Sequence, residues 1–517
     1  MMSPSQSENT KRIAKNTLIL YGRMLIGMLV SLYTSRVVLQ ALGVEDYGIY
    51  NVVGGFVGMF SLISGALSHS AGRFLTFELG RGDLDALKRI FSTSLLIHIA
   101  LAIIVLILAE TVGLWFVNTR MTIPVDRLYA ANWAFHASIV SFMMRLFCVP
   151  YSASIVSHEK MSTFAYVGIL DIFVRLLIVV FIANAPFKFD HLIVYAVLLV
   201  VVSFSIQSIY VIYCHRHFEE CHLNLSLDKA CWKEMWAFTG WNFIGGTAVV
   251  LKDQGVNVLL NLFYGPVINT ARGISSSVSN AVCSFSGNFM TALNPQITKS
   301  YAAGDYEYMF KLIERGTRFS FYIIFILGLP ILFETDFVLS LWLDRYPDHT
   351  ANFVRLVLVL AMIDILSNTI VTAQSATGNI RNYQIAVGGM LLMNFPLSYL
   401  LLKLGGEPEC TMYVALFVSV CCLILRLVIL RKNINLSLSW FFKRICFNII
   451  SVSVVSLLLP SLICLLMNDG WIRFLFIIVS CFVCTILTVL FVGCSKHERL
   501  FIYDRIKKIK SKIASAL

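Results

Sequence analysis

Charge is scarce in this chain. Only 14% of its 517 residues are Asp, Glu, Lys or Arg, and 58% are hydrophobic; soluble domains carry about 25% charge. That balance excludes an ordinary water-exposed globular surface. Acids are the scarcer sign, 29 against 41 bases. The 13 cysteines are scattered with no metal-like spacing. Cys421-Cys422 and Cys481/Cys484 lie in apolar runs as small buried residues, and only Cys410 reads as external, so a disulfide framework is not expected. No Walker A sequence occurs, and His158-Glu159 and His497-Glu498 lack the second His of a metalloprotease helix. No loop on the outside exceeds about ten residues, too little for a membrane polymerase or ligase of surface glycans. Nothing calls for a cofactor or a metal, and the chain does not read as an enzyme.

What the chain has instead is apolar runs of 18 residues and more, long enough to cross a hydrocarbon core of about 30 Å. Fourteen spans are expected, near 17–42, 46–70, 91–117, 128–156, 162–184, 191–213, 235–262, 266–292, 317–343, 351–377, 384–404, 411–430, 445–467 and 472–494. The first is no cleavable signal peptide, because it is long, carries Arg23 and is followed directly by more of the same. The net charge of +12 does not point to nucleic acid once the positions of the bases are considered. With a cytoplasmic N-terminus, about 26 of the 41 Lys and Arg fall on the cytoplasmic side and about 6 outside, as the positive-inside rule requires. Both termini are then cytoplasmic.

A turn motif recurs in register. Gly43, Gly82 and Asp83 map onto Gly265, Gly304 and Asp305, each 222 positions on, and the hydrophobic segmentation around them repeats as well. That offset spans six crossings, an even number, so the repeats are parallel and related by an axis along the membrane normal. The expected fold is an all-α polytopic membrane protein. Two six-helix lobes (1–222 and 223–436) are followed by an extra helix pair (437–494) and a basic cytoplasmic tail (495–517). Longer inner connections are expected at 71–90, 214–234 and 293–316. Leu87, Arg89 and Ile90, and likewise Phe310, Lys311, Ile313 and Arg315, read there as interfacial helices. In the tail, Ile502, Ile506, Ile509 and Ile513 at helical spacing, among Lys507, Lys508, Lys510 and Lys512, suit a helix resting on anionic inner-leaflet lipids.

An ionised group at the bilayer centre costs at least about 2.5–3.5 kcal/mol, so each one within a span demands a reason. Arg145, Arg175, Lys252, Asp253 and Asp364 are deep, Arg272 lies in an outer third, and Arg23 and Arg36 are nearer the ends of the first span. Asp171 and Arg175, four apart on one helix face, read equally as a structural ion pair. Arg23 and Arg36 read equally as snorkelling to opposite surfaces. Lys252 and Asp253 point about 100° apart and need outside partners, and Arg145 has Asp171 or Asp364 as potential partners across helices. Six bases (Arg23, Arg36, Arg145, Arg175, Lys252, Arg272) stand against three acids (Asp171, Asp253, Asp364). A cavity with surplus positive charge attracts an anion, and arginine forks suit phosphate oxygens. Gly54, Gly55 and Gly58, and Gly240, Gly245 and Gly246, read as sites of close helix packing or bending. Pro150 and Pro330 interrupt two spans.

The segment from Thr34 to Tyr50 contains Leu42-Gly43-Val44-Glu45-Asp46-Tyr47-Gly48-Ile49-Tyr50. With the later Gly-Asp loop, it resembles the first-hairpin signature of polysaccharide-biosynthesis flippases. These are the O-antigen and capsule repeat-unit translocases of the multidrug/oligosaccharidyl-lipid/polysaccharide exporter superfamily. The second copy departs from the pattern, since Tyr264-Gly265-Pro266-Val267-Ile268-Asn269 lacks the Tyr-Gly-x-Tyr ending. Fourteen spans rather than twelve leave the lipid II flippase branch open as the nearer relative. The resemblance implies a two-lobe flippase of the bacterial inner membrane that moves an undecaprenyl-pyrophosphate-linked oligosaccharide by alternating access. A polysaccharide polymerase and chain-length machinery are its implied partners. In the related lipid II flippases, cavity arginines in the first and eighth spans handle the lipid pyrophosphate, and Arg23 and Arg272 occupy comparable spans. The other reading is an ion-coupled exporter of drugs or small metabolites, with Asp253 and Asp364 as the coupling sites.

Overall fold

The computed structural model describes residues 4–58, 60–119, 123–184, 190–222, 228–343, 346–496 and 498–500. Among them the secondary structure is helical throughout. The helices are α1 (Pro4–Gly58), α2 (Ser61–Arg81), α3 (Leu84–Thr119), α4 (Val125–Ser157), α5 (Met161–Asn184), α6 (His191–His217) and α7 (Lys229–Tyr264). Then come α8 (Pro266–Ala302), α9 (Tyr306–Phe333), α10 (Thr350–Ala376), α11 (Arg381–Lys403), α12 (Cys410–Ile434), α13 (Leu438–Leu466) and α14 (Trp471–Gly493). Non-helical φ/ψ at Gly43 divides α1, so its second part and α2 together make the second crossing. Among the described residues, eleven helices are long and apolar enough to cross a membrane on length and composition alone. The seventh and eighth crossings, α7 and α8, are not among them, because they carry polar and small residues, several of which line the second of the cavities described below.

The repeat is written in the backbone. Gly43 and Gly265 have φ of +80° and +77°, and Gly82 and Gly304 have +76° and +73°. Each pair shares a left-handed conformation that residues with a Cβ rarely adopt. Asp83 then caps α3 by accepting from the Ala86 amide at 2.9 Å, which satisfies one of the donors a helix start leaves open.

The chain forms two compact units, Met1–Thr247 with Thr291–Tyr306, and Ala248–Met290 with Glu307–Leu517. In lipid, apolar surface gains little by leaving the tails, so helices associate through close packing and buried polar bonds. In the first unit, Val38 of α1 packs with Val179 and Ile182 of α5 and with Tyr195 and Leu199 of α6. Phe91 of α3 meets Tyr151 of α4 edge to face at 5.1 Å. Arg127 bonds both Asp46 and Asp190, with Nε 2.8 Å from Asp46 Oδ1. The acidic residue of the hairpin signature thus fixes the segment after Gly43 to the start of α4.

The second unit has a related clamp. His349 stands 222 residues after Arg127, and its Nδ1 lies 2.7 Å from Oε1 of the buried Glu409, which also accepts from Asn352 at 3.0 Å. The extra pair α13–α14 is held to α9 at both ends. Arg315 and Arg318 pair with Glu498 at 2.9 and 3.2 Å. Glu334 takes a two-pronged bond from Arg473 at 2.7 and 3.0 Å. Between these, Tyr322 bonds Asn448.

Several expectations are corrected. No separate interfacial helices follow the Gly-Asp loops: Leu87 and Ile90 are buried in the first turns of α3, and Ile313 is buried in α9. Those apolar residues face protein, not headgroups. Gly54, Gly240 and Gly246 are not close-packing sites, since a Cβ there would meet nothing within 4 Å. Among the described residues, the closest approaches are at Gly80, Gly168, Gly255 and Gly493. Pro150 and Pro330 lie inside continuous helices. The basic tail with Ile502, Ile506, Ile509 and Ile513 lies outside the described residues.

Candidate substrate cavities

Each unit encloses a cavity within its own helices. The cavity of the first unit, about 530 Å³, is walled by the second crossing with α4, α5 and α6. On α4, Ser138, Ser141, Arg145 and Val149 follow one another at intervals of three and four, the repeat of a single helix face. Ser64 and Ser68 do the same on α2, and Tyr50, Arg175 and Ser203 complete the polar lining. Hydroxyls of many helical serines in this chain bond back to a carbonyl three or four residues earlier, as Ser205 does to Val201 at 2.9 Å. Those of Ser64, Ser68, Ser138, Ser141 and Ser203 make no such bond among the described residues. They are left to face the cavity.

The two arginines there differ. Arg175 Nε donates to Asp171 Oδ1 at 2.8 Å, so half of its charge is answered on its own helix face. Arg145 is exposed to the cavity and has neither ion pair nor hydrogen bond among the described residues. Neither acid considered as its partner bonds it: Asp171 acts on it only through space and is bonded to Arg175, and Asp364 accepts from Ser419 in the second unit. The cavity therefore presents one unanswered guanidinium, one half-answered guanidinium and a set of open hydroxyls. That chemistry accepts an oxyanion and hydroxyl-rich groups around it.

The second unit's cavity, about 600 Å³, is walled by α7, α8, α9, α10 and α12. The matched walls are telling: the second, fourth and sixth crossings in one unit, and the eighth, tenth and twelfth in the other. Tyr50 and Arg272, 222 positions apart, occupy corresponding places in the two linings. Lys252 and Asp253 approach to 3.6 Å, closer than their directions along the helix suggest, because long side chains bend around the backbone. Arg272 Nη1 lies 3.1 Å from Met412 Sδ, and amides of Asn257, Asn280 and Asn368 fill much of the remaining lining. Lys252 and Arg272 face Asp253 and Asp364 across one cavity, two bases against two acids. It is close to neutral, unlike the first.

The remaining predicted residues lie elsewhere. Arg23 lines neither cavity and does not snorkel; its guanidinium sits 4.5 Å over the Phe164 ring and against Gly168, joining α1 to α5. The cation–π contact replaces water as its partner. Arg36 lies on α1, and its side chain is outside the described residues. The pooled count of six bases against three acids thus dissolves into two sites of different character. What sequence reading missed was the serine stripe, although Ser138, Ser141 and Arg145 at helical spacing carried its signal. Among the described residues no group of three or more His, Cys, Asp or Glu is placed to hold a metal ion.

Solved structures of similar fold are transporters. A MATE protein in the bent conformation superposes with a TM-score of 0.70 at 12% identity, over 84% of this chain and 98% of that one. The MATE transporter ClbM in complex with Rb+ gives 0.65 at 13% identity, over 84% and 97%. A MOP superfamily transporter from Pyrococcus furiosus, described as having a binding pocket of reverse polarity, gives 0.66 at 10% identity, over 82% and 96%. No family model and no curated protein matches the chain. The fold is that of the MATE transporters of the MOP superfamily.

Proposed function

We propose that this protein is an alternating-access transporter of an anionic, lipid-linked cargo: a flippase that carries a polyprenyl-pyrophosphate-linked oligosaccharide across the bacterial inner membrane for surface polysaccharide assembly. The observation that carries the reading is Arg145, an unanswered guanidinium beside Arg175 in a cavity ringed by open serine hydroxyls. Such a charge is expensive inside a membrane and is tolerated where a ligand answers it. A pyrophosphate would take charge-assisted bonds from the arginine forks, each worth about 1.5–3 kcal/mol. Serine hydroxyls would bond the sugar, and the polyprenyl chain would stay in lipid. The distribution of Lys and Arg supports cytoplasmic termini, which puts loading on the inner leaflet.

The test is loss of charge in the first cavity. Arg145→Gln in cells dependent on the protein should leave completed lipid-linked repeat units on the inner leaflet while the protein remains in the membrane. Export at the normal rate would overturn the reading. A second reading, an ion-coupled exporter of drugs or small metabolites, is favoured by one observation: Asp253 and Asp364 share the neutral cavity of the second unit. In that case Asp364→Asn should abolish transport and Arg145→Gln should not.

A further inference from the structure

Beyond its cavity, the first unit carries a tight joint at one end of α2 and α4. Ser64 and Ser68 line the cavity on α2, and Gly80 lies 12 residues past Ser68, about 18 Å along the helix. At Gly80 a Cβ would fall 2.8 Å from Lys299 Cα and 2.9 Å from Ala302 Cβ, so α2 and the end of α8 touch backbone to backbone. Arg73 sits under a roof of rings, 4.5, 4.7 and 5.6 Å from Phe74, Phe77 and Phe238. Phe77 meets Tyr301 at 6.3 Å.

The centre of the joint is Glu159, in the turn between α4 and α5. Its φ is +58°, a left-handed conformation that a residue with a Cβ holds only at a cost. Its carboxylate is 1% exposed. Arg12 Nε approaches to 2.7 Å, Lys299 Nζ to 2.8 Å, and Gln296 Nε2 lies 2.6 and 2.7 Å from the two oxygens. Donors from the start of α1 and from the end of α8 thus meet on one buried acid. Residues 291–306 belong with the first unit, whereas the start of α8 belongs with the second. Four residues past that division stands Pro295, inside the helix, which gives no amide proton to the ladder and so weakens α8 where bending would be needed.

We propose that this joint is a reversible latch: Glu159 holds the end of α8 while access to the first cavity is shut on that side. In each cycle it releases Lys299 and Gln296, so that the segment turns about Pro295. The inference rests on the alternating-access reading, and it is independent of what the cargo is. Paired substitutions Phe77→Cys and Tyr301→Cys, joined in membranes by a reducible bifunctional thiol reagent, test it, with each single variant as the control for native cysteines. The cross-link should form in resting protein, stop export, and restore export when reduced. Adding Glu159→Gln should lower the cross-link yield several-fold and speed hydrogen exchange in residues 291–306. Undiminished export by cross-linked protein would overturn the latch, as would yield and exchange unchanged by Glu159→Gln. Yield and exchange are read without cargo, so a wrong cargo assignment leaves them standing.

Discussion

Arg145→Gln separates binding from folding unusually well. Arg145 has no protein partner among the described residues, so its removal breaks no bond within the fold and should leave thermal stability nearly unchanged. Anion binding should lose one or two charge-assisted bonds, about 1.5–3 kcal/mol for one of them. At 1.4 kcal/mol per decade this is about a 10- to 150-fold weaker affinity. Arg175→Gln should be worse, because it also strands the carboxylate of Asp171, now paired at 2.8 Å. Adding Asp171→Asn to Arg175→Gln should therefore restore part of the loss. The assay is titration of purified protein with a water-soluble pyrophosphate-linked sugar, with a neutral sugar of the same size as the control. Affinity within twofold of the unmodified protein for Arg145→Gln, or no rescue by Asp171→Asn, would refute the reasoning.

Three further outcomes are expected. In Gly80→Ala the new methyl would fall 2.8 Å from Lys299 Cα, backbone that cannot swing aside, so the variant should lose about 1–3 kcal/mol of stability, seen as an earlier melt in a thermal-shift assay. Glu498→Ala takes from Arg318 its carboxylate partner at 3.2 Å but leaves it Glu314 at 3.4 Å and the Gly493 carbonyl, so it should cost less than the roughly 3–5 kcal/mol of a fully stranded charge, seen as faster proteolysis at the end of α14. Burial pushes the Glu409 carboxyl up, but hydrogen bonds from Asn352 and His349 outweigh it and hold the group below the ordinary glutamate value. A depressed carboxyl stabilises the fold above its unfolded value of about 4.3, and that stability is lost as pH falls through the folded value. Acidification from pH 6 to below 4 should thus lower the melting temperature less in Glu409→Gln than in the unmodified chain, and an equal loss in both would exclude the clamp as its source.

The helices and their repeat were legible because both leave one-dimensional traces: apolar runs of fixed length, and turn glycines whose left-handed backbone admits little else. The pairs Gly43/Gly265 and Gly82/Gly304 held their register to within a few degrees of φ. The seventh and eighth crossings were the instructive ones, since their polarity marks cavity walls and not weak spans. Charges were harder to place. Arg23 and Arg272 read alike as intramembrane bases, yet one is packed on Phe164 and the other lines a cavity. Which face a charge takes depends on partners far away in sequence. Glu159 was invisible for the same reason: its donors come from Arg12, Gln296 and Lys299, more than a hundred residues away on either side.

The most direct measurement is transport by the purified protein in proteoliposomes loaded with a polyprenyl-pyrophosphate oligosaccharide on one leaflet, with an impermeant enzyme on the far side that consumes what arrives. Movement across the bilayer that falls at least tenfold in Arg145→Gln is the result expected. Cargo that stays on its leaflet with the unmodified protein, or crosses equally fast in the variant, would contradict a flippase that holds its cargo by the arginines of the first cavity.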